Sequence, residues 1–302
     1  HSQRDFAGFL MMIKKGLHLH QVHNIDRPLP EMMLGLEGWI PMYMTGQITP
    51  YYVKGIQNQT FLHFLRVSGA AARSGEAITG HHAEGRYYLS KTKEDISYYR
   101  KRGEALLKEA SPLMDIYRED DAAKLKAFLS NSRGYNADCT HILSAPPIYT
   151  MDSNYLTGFL DRHNISETDK EKIIDYAKSE RQYLEKFLTD NFITDEIAIV
   201  SKEEFEQFPL TLSLSRIFYE KDITYTYEDY LAHLEQTKEF EKTHHGYNVK
   251  ETTSQTFRNL QITIMKNRWV MLSKNKAPAI HFVIHNPKLY KAIANFYPPI
   301  VE

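Results

Sequence analysis

Residues 18–23 read His-Leu-His-Gln-Val-His. On an extended strand His18 and His20 share one face, and two such imidazoles beside an aspartate and a further histidine are a zinc-binding arrangement used in hydrolysis. Val22 stands where that aspartate would be. Histidines on the polar face of a half-buried strand are therefore the favoured reading. A second cluster, Gly-His-His-Ala-Glu-Gly-Arg at 80–86, combines His81, His82, Glu84 and Arg86 with two glycines. Such a turn could hold an anion or a sugar hydroxyl, or simply be a solvated loop. A third lies near the end, where Ser273, Lys274 and Lys276 flank a turn. The two lysines could attract a phosphate or anionic headgroup, or keep a sheet edge soluble. Ser213, Ser215 and Arg216 fall in no Gly-x-Ser-x-Gly elbow. Neither a Gly-x-Gly-x-x-Gly fingerprint nor a Gly-x4-Gly-Lys-Ser/Thr loop is present.

The elements that must carry these groups alternate between helix and strand. Residues 5–15 have helical periodicity and stop at Gly16, and residues 17–25 alternate as a strand. A helix over 31–46 follows, then strands at 60–69 and 85–90. A long helix is predicted over 91–117, bent at Pro112. Residues 118–140 read as a polar connection, and 141–150 as an extended piece. Helices are predicted at 154–162 and 166–188, the latter with Ser166 three residues before Asp169. Further strands are expected at 195–201, 247–252, 260–266 and 268–274, with a helix over 226–245 closed by Gly246. Ile280–Ile284 is read as the last strand, and Asn286-Pro287 opens a last helix.

Two stretches, 5–117 and 227–300, share the order helix, glycine, strand, turn, strand, helix. This order resembles the phospholipase D-like fold, in which two α/β repeats each carry His-x-Lys-x4-Asp. The resemblance implies a fold of two pseudo-repeated α/β units with a helical insert. The domains it implies are 1–117, an insert over 118–226, and 227–302. Registered by the turn, the motif positions hold Phe61, His63 and Ser68 in the first unit, and Asn259, Gln261 and Lys266 in the second. Phe61 cannot be a nucleophile, and Asn259 and Gln261 cannot shuttle protons. The resemblance thus implies a degenerate site without catalysis and with a remaining cleft.

The stretches at 25–52, 80–89 and 273–284 look like the long C-terminal regions of helix-turn-helix regulators from clostridial bacteria. That likeness implies an effector-sensing part of a bacterial transcriptional regulator, with DNA bound by a separate N-terminal module. The chain starts without an initiator Met, inside a predicted helix. A longer parent protein and a processed end both fit that start.

The 302 residues suffice for one large domain or two ordinary ones. A formal net charge of -1 supplies no general attraction to nucleic acid or an anionic membrane. The single cysteine, Cys139, excludes an internal disulfide framework and suits a reducing cytoplasm. The expected ligand-binding groups are His63, Arg73, Glu76, Arg86, Gln261, Lys266, Ser273, Lys274 and Lys276. No catalytic residue, metal or cofactor is expected. The expected partner is a small-molecule effector, DNA is reached only through the other module, and a homodimer is left open. A divergent phosphodiesterase or metal-dependent hydrolase is the alternative.

Overall fold

The computed structural model describes residues 11, 12, 14–23, 25, 39, 40, 42–54, 60–78, 80–214, 222–253, 260–274 and 279–295, with only the backbone of 61, 62 and 82. The protein is mixed α/β. It divides into two compact units, residues 1–114 and 115–302.

In the first unit, β1 (Leu19–His23) pairs in parallel with β2 (Ile48–Tyr52). The strands β3 (Phe61–Val67), β4 (Ala72–Ile78) and β5 (Arg86–Ser90) form an antiparallel meander. The turn between β3 and β4 is held by Ser68, whose Oγ accepts from the amides of Ala70 and Ala71 at 3.3 and 3.1 Å. Such hydroxyl-to-backbone bonds are how serine stabilises turns. The ring of Tyr87 lies so close to Gly75 that a Cβ there would stand 2.4 Å from it. Glycine is what allows this approach. Helix α1 (Lys93–Glu109) starts at Thr92, whose side chain caps the amide of Asp95. It ends earlier than the sequence predicts. Ala110 is already extended, and Ser111–Pro112 forms the short β6 beside β2. The residue before a proline is disfavoured in the helical region, so the chain leaves the helix and does not bend within it.

The second unit is built, among the described residues, on one seven-stranded sheet. In chain order its elements are β7 (Asp115–Arg118), α2 (Ala122–Ser132), β8 (Cys139–Leu143), α3 (Ser153–Arg162), α4 (Glu167–Phe187) and β9 (Ile193–Ala198). There follow α5 (Lys202–Gln207), α6 (Tyr227–Thr243), β10 (Tyr247–Thr252), β11 (Leu260–Met265), β12 (Trp269–Lys274), β13 (Ile280–Ile284) and α7 (Pro287–Ala294). The spatial order is β10-β9-β8-β11-β12-β13-β7. β8, β9 and β10 run parallel, because each connection between them contains helices long enough to return the chain. From β8 through β11, β12, β13 and β7 every pairing is antiparallel. Asn267, with φ of 58°, makes the turn from β11 to β12, and asparagine is among the few residues that tolerate that region. β13 is buried throughout and β12 nearly so, and both are correspondingly rich in apolar residues.

This arrangement departs from the predicted one in two respects. Residues 118–226 are not a separate insert, since they supply β8 and β9 to the same sheet as β11–β13. The two segments predicted as copies also pair differently. Apart from β7 at its end, strands of the first lie in two three-stranded sheets, and strands of the second lie inside the seven-stranded one. Helix and strand order along the chain does not specify pairing partners, and β4, which carries a mid-strand glycine, escaped the pattern altogether.

Candidate functional site

Strand alternation puts Cys139, His141 and Leu143 of β8 on one face of the large sheet. Pairing carries that face sideways. His141 stands opposite Asp195 on one side and Thr263 on the other. Thr263 stands opposite Met271. One residue pair along, Gln261 faces Ser273, and Ser273 faces His281. One pair the other way, Cys139 and Trp269 flank Met265. Helices α2 and α4 lie over this face, contributing Leu129, Ser132, Tyr176, Glu180, Tyr183 and Phe187. Between helices and sheet is a cavity of about 180 Å³.

A hydrogen-bonded chain runs along its floor. Nδ1 of His141 is 2.7 Å from Oδ1 of Asp195, and Nε2 of His141 is 3.3 Å from Sγ of Cys139. The hydroxyls of Tyr149 and Tyr247 both donate to Oδ2 of Asp195, at 2.7 and 2.5 Å. Asp195 is fully buried, and a carboxylate is stable there only because these donors replace water. Burial by itself would lower the pKa of His141. The interactions of Cys139 and Asp195 with the imidazole, through charge and hydrogen bonds, outweigh it and hold His141 well above the usual histidine range. Burial, reinforced by Asp195, pushes Tyr149 and Tyr247 up, so both remain donors.

Tyr149 is placed from behind by a second buried network. It sits on a 3-10 turn, Ile148–Thr150. His233 of α6 hydrogen-bonds through Nε2 to the Pro147 carbonyl at 3.1 Å, and Tyr225 lies 2.9 Å from its Nδ1. Thr150 and Thr237 join hydroxyls at 2.7 Å. Burial lowers His233 to about 3, which makes it a neutral fixture of the fold.

The opposite end of the cavity is polar and neutral. Oγ of Ser213 donates to Gln261 at 3.3 Å, and Ser273 and His281 are 2.8 Å apart. Burial lowers His281 to about 4. Arg133 is paired with Glu180 and lies over the ring of Tyr183, so its charge is already answered. One donor is left over. Nε1 of Trp269 is buried and finds no partner among the described residues.

Of the expected binding groups, Gln261 and Ser273 line this cavity. Lys266 lies on an exposed turn and pairs with Asp138 at 2.9 Å. Lys274 is half-buried at the end of β12, and Lys276 lies outside the described residues, as does Asn259. His63, Glu76 and Arg86 form one cross-strand row of the β3-β4-β5 meander, all exposed. Arg73 is on the other face, its guanidinium 5.5 and 5.1 Å from the rings of Phe64 and Tyr87. In the first unit His18 and His20 do lie side by side, with ring centroids 5.1 Å apart, and His18 meets Thr49 at 2.7 Å. Among the described residues no cluster of His, Cys, Asp or Glu is arranged to hold a metal ion.

Sequence reasoning missed Cys139, His141, Asp195, Tyr149 and Tyr247. A signal existed in Cys-Thr-His at 139–141, where period-two spacing puts a thiol and an imidazole on one face. The partner aspartate is 54 residues further on, and nothing local marks it. Comparisons of the chain with family models, curated proteins and solved structures found no match.

Proposed function

We propose that the chain is the effector-sensing part of a bacterial transcriptional regulator, and that the cavity on the seven-stranded sheet is where the effector binds. The observation that carries this is the cavity itself, a mostly apolar hollow with polar groups gathered at its floor and one end. The likeness of three stretches to clostridial regulators supports the regulatory role. Arg133 is neutralised by Glu180, and His141 by Asp195. An uncharged effector suits this lining better than the anion suggested by Lys274 and Lys276. A cavity of about 180 Å³ is slightly larger than the roughly 150 Å³ that accommodates benzene, so the effector is a small ring or short chain. A phospholipase D-like origin is the finer fold reading that accompanies this proposal. The turns that follow β3 and β11 at Ser68 and Lys266 fall where the motif would end, neither residue is the motif's aspartate, and the unlike strand pairing of the two segments speaks against a repeat.

Binding controls a regulator only if the effector prefers one of two conformations. The test is native mass spectrometry of the full chain for retained small molecules, followed by thermal melting with the compound found. The expected result is one uncharged compound that raises the melting temperature of the wild type and raises it less in Gln261→Ala. A charged compound, or one whose effect is indifferent to Gln261 and Ser273 substitution, would overturn this assignment.

A further inference from the structure

We infer that Cys139, His141 and Asp195 form an activated thiol in this cavity, and that it adds covalently to small uncharged α,β-unsaturated carbonyl compounds. The inference rests on the cavity being a ligand site and specifies what enters it. It begins with the order of contacts, sulfur to Nε2 and Nδ1 to carboxylate, at 3.3 and 2.7 Å. That is the relation of a nucleophile to a base and of the base to the group that orients it. Both sulfur and imidazole line the cavity. An inert structural cysteine in an apolar core requires no imidazole beside it.

The second observation is the unsatisfied indole. Trp269 is 3% exposed, lines the same cavity, and has a buried Nε1–H without a partner among the described residues. An unmet buried donor costs about 1–3 kcal/mol, and a ligand acceptor removes that cost. Trp269 is two strands from Cys139 in the same cross-strand row. Strands lie roughly 4.8 Å apart, so a carbonyl oxygen held by the indole leaves the far carbon of a conjugated alkene within range of the sulfur.

The chemistry closes without a co-reactant. In the reacting pair the shared proton sits on Nε2 of His141, while Nδ1–H stays hydrogen-bonded to Asp195. A sulfur electron pair forms the S–C bond at the β-carbon. The alkene π pair moves toward the carbonyl, and its oxygen carries the enolate charge while accepting from Trp269. The α-carbon then takes the proton from Nε2. The sum is addition of S–H across C=C. Nothing is oxidised or reduced, and no group leaves.

The chain has one cysteine, so intact mass reports the reaction directly, with Cys139→Ser as background. The probe is cyclohexenone, and its unreactive analogue is cyclohexanone. At neutral pH the folded full chain is expected to react about tenfold or more faster than the same chain unfolded in urea, the gain that a positioned base supplies. Cyclohexanone is expected to slow the folded protein alone. His141→Gln, if folded by circular dichroism, should fall to the unfolded rate or below it. A folded rate equal to or below the unfolded rate overturns the activated thiol, and that comparison needs no variant. If cyclohexanone still raises the melting temperature in that case, the cavity reading stands and the nucleophile alone has failed. Fast addition indifferent to cyclohexanone would overturn the cavity as the place of reaction.

Discussion

His141 and Asp195 face each other across adjacent parallel strands, with Nδ1 of the imidazole 2.7 Å from Oδ1 of the carboxylate. The carboxylate is fully buried, and the imidazole side chain is 16% exposed. Each makes the other's charge tolerable, and the cavity above them inherits the result.

Removing the carboxylate tests that mutual dependence. Asp195→Ala leaves the imidazole and the hydroxyls of Tyr149 and Tyr247 without their acceptor. Breaking a buried pair from one side costs about 3–5 kcal/mol. Urea unfolding should show a loss of that order, and a loss under about 1 kcal/mol would mean that water already shares the site.

Stability should peak near neutral pH. His233 and His281 are lowered to about 3 and 4 in the folded chain. Their contribution is full above the ordinary histidine value and is lost as pH falls below it, because only the unfolded chain takes up those protons. His141 is raised, so its contribution is full below the ordinary value and is lost as pH rises through its folded pKa. Urea midpoints measured across pH should fall on both sides. A midpoint that keeps rising into alkaline solution would contradict the placement of His141 beside Asp195.

Trp269→Phe should separate binding from folding. The ring stays and the unmet N–H goes. Stability of the free protein should hold or rise by about 1 kcal/mol, since a buried donor without a partner is a penalty. Cyclohexanone should bind several-fold more weakly. Calorimetry and thermal melting read the two effects separately, and a variant that loses stability while binding normally would assign the indole to packing alone.

Duplex DNA should bind these residues weakly and without sequence preference. With 37 basic and 38 acidic side chains the chain has no net attraction for phosphate. An electrophoretic shift at physiological salt should show no discrete complex. Tight, sequence-selective binding would place the DNA-reading surface within this chain.

The sequence by itself determined most of the local elements. Gly16, Gly46 and Gly246, each at positive φ, mark the stops it signalled. Ser166 and Asn286 cap the helices they were expected to open. Trp269–Lys274 and Ile280–Ile284 are the strands that apolar runs implied. These features depend on neighbours a few residues apart, where backbone preference and capping act.

Only the tertiary structure decided which strands pair and which polar groups meet. Residues 118–226 looked like an insert because helices dominate them, yet β8 and β9 are interior strands of the sheet. Gln261 was picked from a motif register and Ser273 from the cluster beside a turn, and it is cross-strand pairing that puts both at the polar end of the cavity. Cys139 and His141 share a face by local spacing, but Asp195 reaches them through a parallel crossover, and Tyr247 comes from beyond a second one. A parallel pairing joins residues far apart in the chain, and its register is set by burial of whole faces rather than by any local signal.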